Sequence, residues 1–400
     1  MDISKMLCFE ELDSTKIFSL FLQSEELKNT ALFLNETFDM ALNRRYIIEI
    51  AAAYDLGEVT DVYEIFGGYV NRSFGIYTEK GGQKFEYFVR RYKKGITEQE
   101  IMFEHSLINF SLCHGLDIAA GITSTQDGKT YIKKTEEVAG KVNEFYFAVY
   151  RYLPGEDKYT WVNNLWNDEE CASAAEVMAT FHNASRNFDP KGLERVEPKI
   201  MELLPTLPDK FRSYAQTDCM NRFHEYYLTN LNSILEVINK TKIPPGDLAQ
   251  MPVNAIHSDF HPGNLKFQDN KAVGIFDFDW SKIDLRLFDL GLGLVYCCSS
   301  WVDGRDGTLR LDQCAVFLKA YQNKLKALGG LAPLNDVEKQ YLPTLLAAGN
   351  MYLIYWCLRS HYGNINLNFF EYLSYLQHLV RLMKWIEDHR QALLDITKTI

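Results

Sequence analysis

Two strings concentrate groups that could do chemistry: HSDFHPGN at residues 257–264 and IFDFDW at residues 275–280. They carry Asp259, Asn264, Asp277 and Asp279. Asp259 and Asn264 stand five positions apart in an H-x-D-x-x-x-x-N arrangement, the spacing of a phosphoryl-transfer catalytic loop. Asp277 follows 18 positions after Asp259, at the end of the apolar run AVGIF. A strand that ends on a carboxylate can deliver a metal ligand to a polyphosphate. Phosphoryl transfer to an alcohol asks for this set. The hydroxyl needs a carboxylate to orient it and take its proton, the role assigned to Asp259. Mg²⁺ prefers hard oxygen ligands and keeps several waters. The amide oxygen of Asn264 and the carboxylate of Asp277 supply two such ligands without excess charge. Asp279 is either a second metal contact or a substrate contact.

Other chemistries compete for the same residues. His257 and His261 could hold a zinc ion, but no cysteine or third histidine stands nearby in sequence. DFDW could be the aspartate pair of a phosphatase that forms an aspartyl-phosphate, which would leave HSDFHPGN unexplained. A purely structural loop is the third alternative. In His261-Pro262-Gly263, proline fixes φ and glycine permits a tight turn, so the triplet reads as backbone shaping. His257 is expected to prop the loop through hydrogen bonds.

The chain that must position these groups has 400 residues, 47% hydrophobic and 14% aromatic. That is enough for two lobes with a large packed interior, and it argues against disorder. The net charge of −11 argues against nucleic acid, which needs a basic stripe. The eight cysteines form no C-x-x-C and suggest neither a disulfide frame nor a zinc site, so they read as reduced thiols of a cytoplasmic protein. The first residues, MDISKMLCFEEL, lack a signal-peptide pattern. LPTLLAAGNMYLIYWCL is the most apolar stretch, and Pro343, Gly349 and Asn350 interrupt it, so a buried helix is expected and no membrane partner. Oligomeric state is not readable.

Residues 1–45 read as an N-terminal helical extension. A helix, YIIEIAAAYDL, should end at Gly57. DVYEIF, SFGIYTE and KFEYFVRRY read as strands, the last two joined by a KGGQ hairpin. The intervening GGYVNRS, with Gly67, Gly68, Asn71 and Ser73, could let backbone N–H groups cover a phosphate; a plain Gly-Gly hairpin is the competing reading. Thr97 to Glu100 fit a capping box for a helix that stops at Gly115. KTYIKKT and EFYFAVYRY are two more strands, and LPGE breaks the chain at 153–156. Thereafter the pattern is mostly helical: DEECASAAEVMATFHNASRNF, further helices to about residue 240, the loop KIPPGD, a strand MPVNAIH, the buried helix LRLFDLGLGLVYCC, and about three more helices over 310–395. The division expected is 1–45 (extension), 46–152 (small lobe) and 153–400 (large lobe).

Taken together, HSDFHPGN, IFDFDW, LFDLG, GGYVNRS and YFVRRY resemble the aminoglycoside phosphotransferase and choline kinase superfamily, nearest its homoserine-kinase-like branch through AAAYDLGEVTDVYEIFGGYVNRSF. The likeness covers about residues 46–300, is weaker over 340–400 and absent over 1–45. It implies an α+β, two-lobed protein-kinase-like fold with a small β-rich N-lobe and a larger, mainly helical C-lobe. It implies ATP and Mg²⁺ as cofactors, Asp259 as the catalytic aspartate, and Asn264 and Asp277 as metal ligands. Asp289 of LFDLG would brace the catalytic loop, with His257 supporting it. Tyr150, Arg151, Tyr152 and Leu153 would be the linker whose backbone meets the adenine. Where protein kinases carry the lysine of V-A-I-K, this strand has Arg90, with Glu104 as its matching helix glutamate. Arg91 is a register-shifted rival that must face the other way, and a solvated strand cation is the competing reading of Arg90.

The implied activity is a small-molecule kinase acting on the hydroxyl of an amino alcohol or a homoserine-like hydroxy amino acid. Asp279 and the face of Trp280 are the candidates for a substrate ammonium. Arg359 is the candidate for a substrate carboxylate, against the alternative of a surface or helix-terminal charge. An antibiotic-modifying phosphotransferase of the same fold, and an inactive nucleotide-binding relative, are the rivals.

Overall fold

The computed structural model describes residues 46–65, 71–138, 141–219, 221–302, 304–363 and 368–400. The extension 1–45 and Gly67 and Gly68 lie outside the described residues. The chain divides into two compact units, one of residues up to 95 with 122–152, the other of 96–121 with 153–400. The helix Glu98–Cys113 therefore belongs with the second unit, although a linear cut at 152 would run it with the first.

The first unit is a five-stranded antiparallel sheet, β1 (Glu58–Ile65), β2 (Arg72–Lys80), β3 (Gln83–Arg91), β4 (Ile132–Val138) and β5 (Lys141–Arg151), in the order β1-β2-β3-β5-β4. Gly81 and Gly82 both take positive φ (60° and 77°), as a two-residue type I′ hairpin demands, and they set the β2–β3 register. The helix of residues 46–53 packs Ile47, Ile50 and Ala51 against Phe74, Ile76, Val89 and Phe147 of the sheet. It ends before Gly57, at a turn over residues 54–55. Asp55 there is left-handed (φ 55°), so the reversal starts two residues earlier than glycine alone suggests. Arg72 and Ser73 belong to β2 rather than to a loop.

In the second unit, Thr97 and Glu100 do form the capping box of the helix Glu98–Cys113. A second box, Asn167 with Glu170, opens the helix Asp168–Ala184. Two short antiparallel pairs frame HSDFHPGN and IFDFDW: β6 (Val253–Ile256) with β9 (Lys282–Leu285), and β7 (Leu265–Gln268) with β8 (Lys271–Ile275). Asp269 and Asn270 connect β7 to β8 with φ of 49° and 60°, a type I′ turn that aspartate and asparagine tolerate. KIPPGD is not all loop: Pro245–Leu248 make one helical turn, begun by a proline whose missing N–H costs nothing there.

The helix Arg286–Cys298 crosses the long helix Asp336–Gly363 at backbone contact. A Cβ on Gly291 would come within 2.8 Å of the Leu345 carbonyl, and one on Gly349 within 2.9 Å of Leu292 Cα. The glycines of LFDLGLGL and LLAAGN are thus spacing elements between two buried helices. Arg286 anchors the same junction. It is buried and bonds both Glu338 oxygens at 2.7 and 2.6 Å, with Nη donors to the Ala332 and Pro333 carbonyls. Helices Leu311–Leu328, Phe369–Asp388 and Arg390–Thr397 complete the unit. Among the described residues every cysteine is unbridged and no helix is long and apolar enough to cross a membrane.

Candidate active site

The loop after β6 is shaped by one buried carboxylate. Asp289, in the first turn of Arg286–Cys298, accepts the backbone N–H of His257 at 2.9 Å on Oδ2 and of Ser258 at 2.8 Å on Oδ1. His182 Nε2 lies 2.9 Å from the same Oδ2, with its Nδ1 on the Tyr321 hydroxyl at 2.8 Å. Burial pushes the Asp289 carboxyl up. The hydrogen bonds from His182 and then from the His257 backbone outweigh that and hold it below the usual range. The two N–H bonds support a left-handed Ser258 (φ 61°), a conformation rare for a side chain larger than glycine and often found where function holds a strained backbone. This turn delivers Asp259.

The far end of the loop is fastened to the end of β8. His257 Nε2 meets the Phe276 carbonyl at 3.1 Å, and Phe276 N donates to the Asn264 carbonyl at 3.1 Å. His261 Nδ1 accepts from Gly263 N at 3.0 Å, capping the short turn Pro262–Asn264. With these nitrogens so engaged, the histidines shape the loop. Among the described residues no cluster of three His, Cys, Asp or Glu side chains is arranged to hold a metal. Asp277, two residues beyond β8, is also left-handed (φ 67°).

These constraints bring Asp259, Asn264 and Asp277 together. Asn264 Nδ2 donates to the Asp259 backbone oxygen at 2.9 Å and to its Oδ2 at 3.2 Å, which leaves the amide oxygen turned the other way. The Tyr296 hydroxyl donates to Asp259 Oδ1 at 3.0 Å, and His261 Nε2 lies 3.7 Å from Oδ2. The Asp259 side chain is still 22% exposed, enough for a substrate to reach. Burial, then the charges of Asp277 and Asp279, push its carboxyl up to about 8. The Asn264 amide oxygen and the Asp277 carboxylate are hard-oxygen donors of the kind a divalent cation such as Mg²⁺ takes. The crowding that raises Asp259 is what such a cation relieves.

A second group of side chains gathers at the end of IFDFDW. Asp279 is buried and Trp280 half-buried. The Arg359 guanidinium sits 5.7 Å from the Trp280 ring and 5.1 Å from that of Tyr355. It is not a lone surface charge: its Nη1 meets Glu197 Oε2 at 3.2 Å. Trp161 lies beside Tyr296, the donor to Asp259, with ring centroids 6.1 Å from Tyr296, 5.2 Å from Trp301, 6.3 Å from Trp356 and 4.4 Å from Tyr375. Sequence reasoning missed Tyr296, His182, Glu197 and Trp161. Only Tyr296 carries a signal, lying in the same buried helix as Asp289.

In the first unit, Arg90 is 3% exposed, so it is no solvated strand cation. Its guanidinium stands 5.8, 5.9 and 5.5 Å from the rings of Phe88, Tyr92 and Tyr150. Arg91 points the opposite way, 4.1 Å over the Phe145 ring. Ser73 pairs across the sheet with Arg90, and Asn71 Oδ1 accepts from Lys93 N at 2.9 Å. Tyr150 and Arg151 end β5. The division between the units falls between Tyr152 and Leu153, and Leu153 packs by Gly274 in the second. Glu104 is wholly buried in Glu98–Cys113.

Comparison with known proteins agrees with this layout. A model of the phosphotransferase enzyme family matches residues 61–328. The chain is 24% identical to a homoserine kinase of Bradyrhizobium diazoefficiens over 303 residues, 76% of this chain and 80% of the relative. The solved structure of a microcompartment-associated aminopropanol kinase superposes with a TM-score of 0.61 at 13% identity, covering 87% of this chain and 98% of that one. An amicoumacin kinase in complex with AMP-PNP and Ca²⁺ does so with a TM-score of 0.59 at 16% identity, covering 86% and 93%. The fold is accordingly the two-lobed protein-kinase-like α+β fold, with a small β-rich N-lobe and a larger helical C-lobe. The chain belongs to the phosphotransferase enzyme family.

Proposed function

We propose that this enzyme transfers the γ-phosphoryl group of ATP, with Mg²⁺, to the hydroxyl of a small molecule that also bears an ammonium group: an amino alcohol or a homoserine-like hydroxy amino acid. The observation that carries the reading is Asp259. It is a partly exposed carboxylate, aimed by Asn264 and Tyr296, beside Asp277 and Asp279. Asp259 orients the acceptor hydroxyl and takes its proton. A bound cation would offset the charges of Asp277 and Asp279 and return Asp259 to the ionised form that a proton acceptor needs. Asn264 and Asp277 hold the metal, which when bound neutralises phosphate charge. Asp289, with His257, keeps the loop in its left-handed turn so that Asp259 stays within reach. Asp279 adds charge to the metal side or meets the acceptor; Trp280 and Arg359 belong to the acceptor side.

The nucleotide-side roles form part of the same proposal: Arg90 with Glu104 for the phosphates, Gly67, Gly68, Asn71 and Ser73 for their backbone cover, and Tyr150, Arg151, Tyr152 and Leu153 for the adenine. So does the functional division into an extension 1–45, a nucleotide-side lobe 46–152 and an acceptor-side lobe 153–400. Use of ATP by the homologues' class is supported by the nucleotide in the amicoumacin kinase complex, and a divalent metal by its Ca²⁺. Asp259→Asn tests the centre. The amide preserves shape and removes the proton acceptor, so turnover of the best acceptor from a panel of amino alcohols and hydroxy amino acids should fall by about 10² to 10⁴. Circular dichroism should be unchanged. Turnover within a few-fold of wild type would end the assignment.

A further inference from the structure

The segment between the helices Asp168–Ala184 and Leu207–Ala215 bears a glutamate that the catalytic strings do not account for. It is tied down next to them. Lys282 Nζ donates to the Pro198 carbonyl at 2.6 Å, and Ile200 N donates to Asp284 Oδ2 at 2.7 Å. Lys282 and Asp284 form a buried pair at 3.0 Å on β9, the strand that begins two residues after Trp280. Residues 198–200 are thus fastened to the continuation of IFDFDW, which carries Glu197 to the Trp280 side.

There the two Glu197 oxygens differ. Oε2 meets Arg359, while Oε1 is buried and receives no hydrogen bond among the described residues. A desolvated carboxylate oxygen without a donor is unfavourable and calls for a cationic one. Arg359 is engaged by Glu197 through one Nη and lies 5.7 and 5.1 Å from the Trp280 and Tyr355 ring centroids. A guanidinium has five N–H donors, so a second carboxylate can still be received. The group is also within electrostatic reach of the reacting end. The buried Tyr352 hydroxyl is pushed well above its usual range by burial, then by Glu197, against the opposing charge of Arg359, with Asp259 adding to the rise.

An acid and a guanidinium side by side are the complement of an ammonium and a carboxylate on one carbon. We propose that Glu197 and Arg359 are the acceptor-recognition pair, Glu197 receiving an ammonium and Arg359 a carboxylate, so that the acceptor is a hydroxy amino acid rather than an amino alcohol. Trp280 then serves to hold the guanidinium, and the ammonium is met by Glu197 instead of Asp279. The inference rests on the reading of Asp259 as the site of phosphoryl transfer.

Isothermal titration calorimetry of the full chain with L-homoserine, L-serine, L-threonine and 3-amino-1-propanol tests it without turnover. At least one hydroxy amino acid should bind more tightly than 3-amino-1-propanol. Glu197→Gln should weaken that amino acid by about 10- to 100-fold, as loss of a hydrogen bond to a charged group does. Arg359→Gln should weaken it comparably and abolish the preference over 3-amino-1-propanol. Glu197→Asp keeps the charge and should keep the preference, with thermal melting checking that each variant folds. Failure of all three amino acids to bind, tighter binding of 3-amino-1-propanol, or binding by Glu197→Gln within twofold of wild type would each overturn the pair. Phosphorylation of another alcohol in those cases would leave the kinase reading standing. Binding as expected without transfer from ATP would sink that reading and spare the pair.

Discussion

Replacing Asp289 by asparagine removes one charge from the interior and should be among the most damaging isosteric changes in the chain. Three donors converge on this carboxylate, at 2.9, 2.8 and 2.9 Å, and its exposure is nil. Asparagine offers one acceptor oxygen and turns an NH₂ toward what must remain an N–H donor. One buried donor is then unsatisfied, which costs about 1–3 kcal/mol. The remaining bonds fall from the charged class, worth about 1.5–3 kcal/mol each, to the neutral class of about 0.5–1.5 kcal/mol. The sum is about 3–5 kcal/mol, a large part of a typical domain stability of about 5–15 kcal/mol. Urea unfolding followed by tryptophan fluorescence reads this cleanly, because all six tryptophans (161, 166, 280, 301, 356 and 385) lie in the second unit. The pH dependence has a definite sign. A depressed carboxyl contributes stability that is fully present above the unfolded value of about 3.9 and is lost as pH falls through the folded value. The gap between wild type and Asp289→Asn should therefore be widest near neutrality and close below about pH 4. A difference under about 1 kcal/mol, or one that does not shrink on acidification, would refute the bracing role of this carboxylate.

Three further outcomes follow from named contacts. Asp277→Ala should abolish phosphoryl transfer with the fold intact, and Asn264→Ala should raise the Mg²⁺ requirement; a metal titration unchanged in both variants would remove their ligand roles. Arg90→Ala should raise the KM for ATP while Arg91→Ala, whose guanidinium lies on Phe145, should not, and the opposite pattern would put the strand's functional face on the wrong side. Gly291→Ala should destabilise the second unit by about 1–3 kcal/mol through overpacking, since its Cβ would meet Leu345 backbone at 2.8 Å; a melting temperature equal to wild type would show that the two helices can move apart.

The elements readable in sequence are those whose cause is local. The capping box at Thr97 and Glu100 lies within four residues, and the Gly81-Gly82 hairpin within two. Strand alternation alone separates Arg90 from Arg91, and their guanidinium groups do lie on opposite faces. Where local signals are thin, boundaries slip. The helix of residues 46–53 ends before Gly57 because Asp55 takes the left-handed turn first. The Asp269-Asn270 hairpin gives no glycine signal, though both residues are types that tolerate positive φ.

The same division between local and distant causes runs through the site. HSDFHPGN and IFDFDW stand out in sequence because carboxylate and amide side chains stand there at short, fixed spacings. What aims them comes from far along the chain. Tyr296 is 37 residues from Asp259, His182 is 107 from Asp289, and Glu197 is 162 from Arg359. Each sits in a segment whose pattern is an ordinary buried helix or a charged loop, so only the packing of the second unit brings them together. Arg359 shows the consequence. By itself it offers a full guanidinium fork to a ligand. Beside Glu197 it is half of a charge pair, near Trp280 and Tyr355, and the Glu197 oxygen that has no partner among the described residues becomes the sharper probe of the proposed acceptor pair.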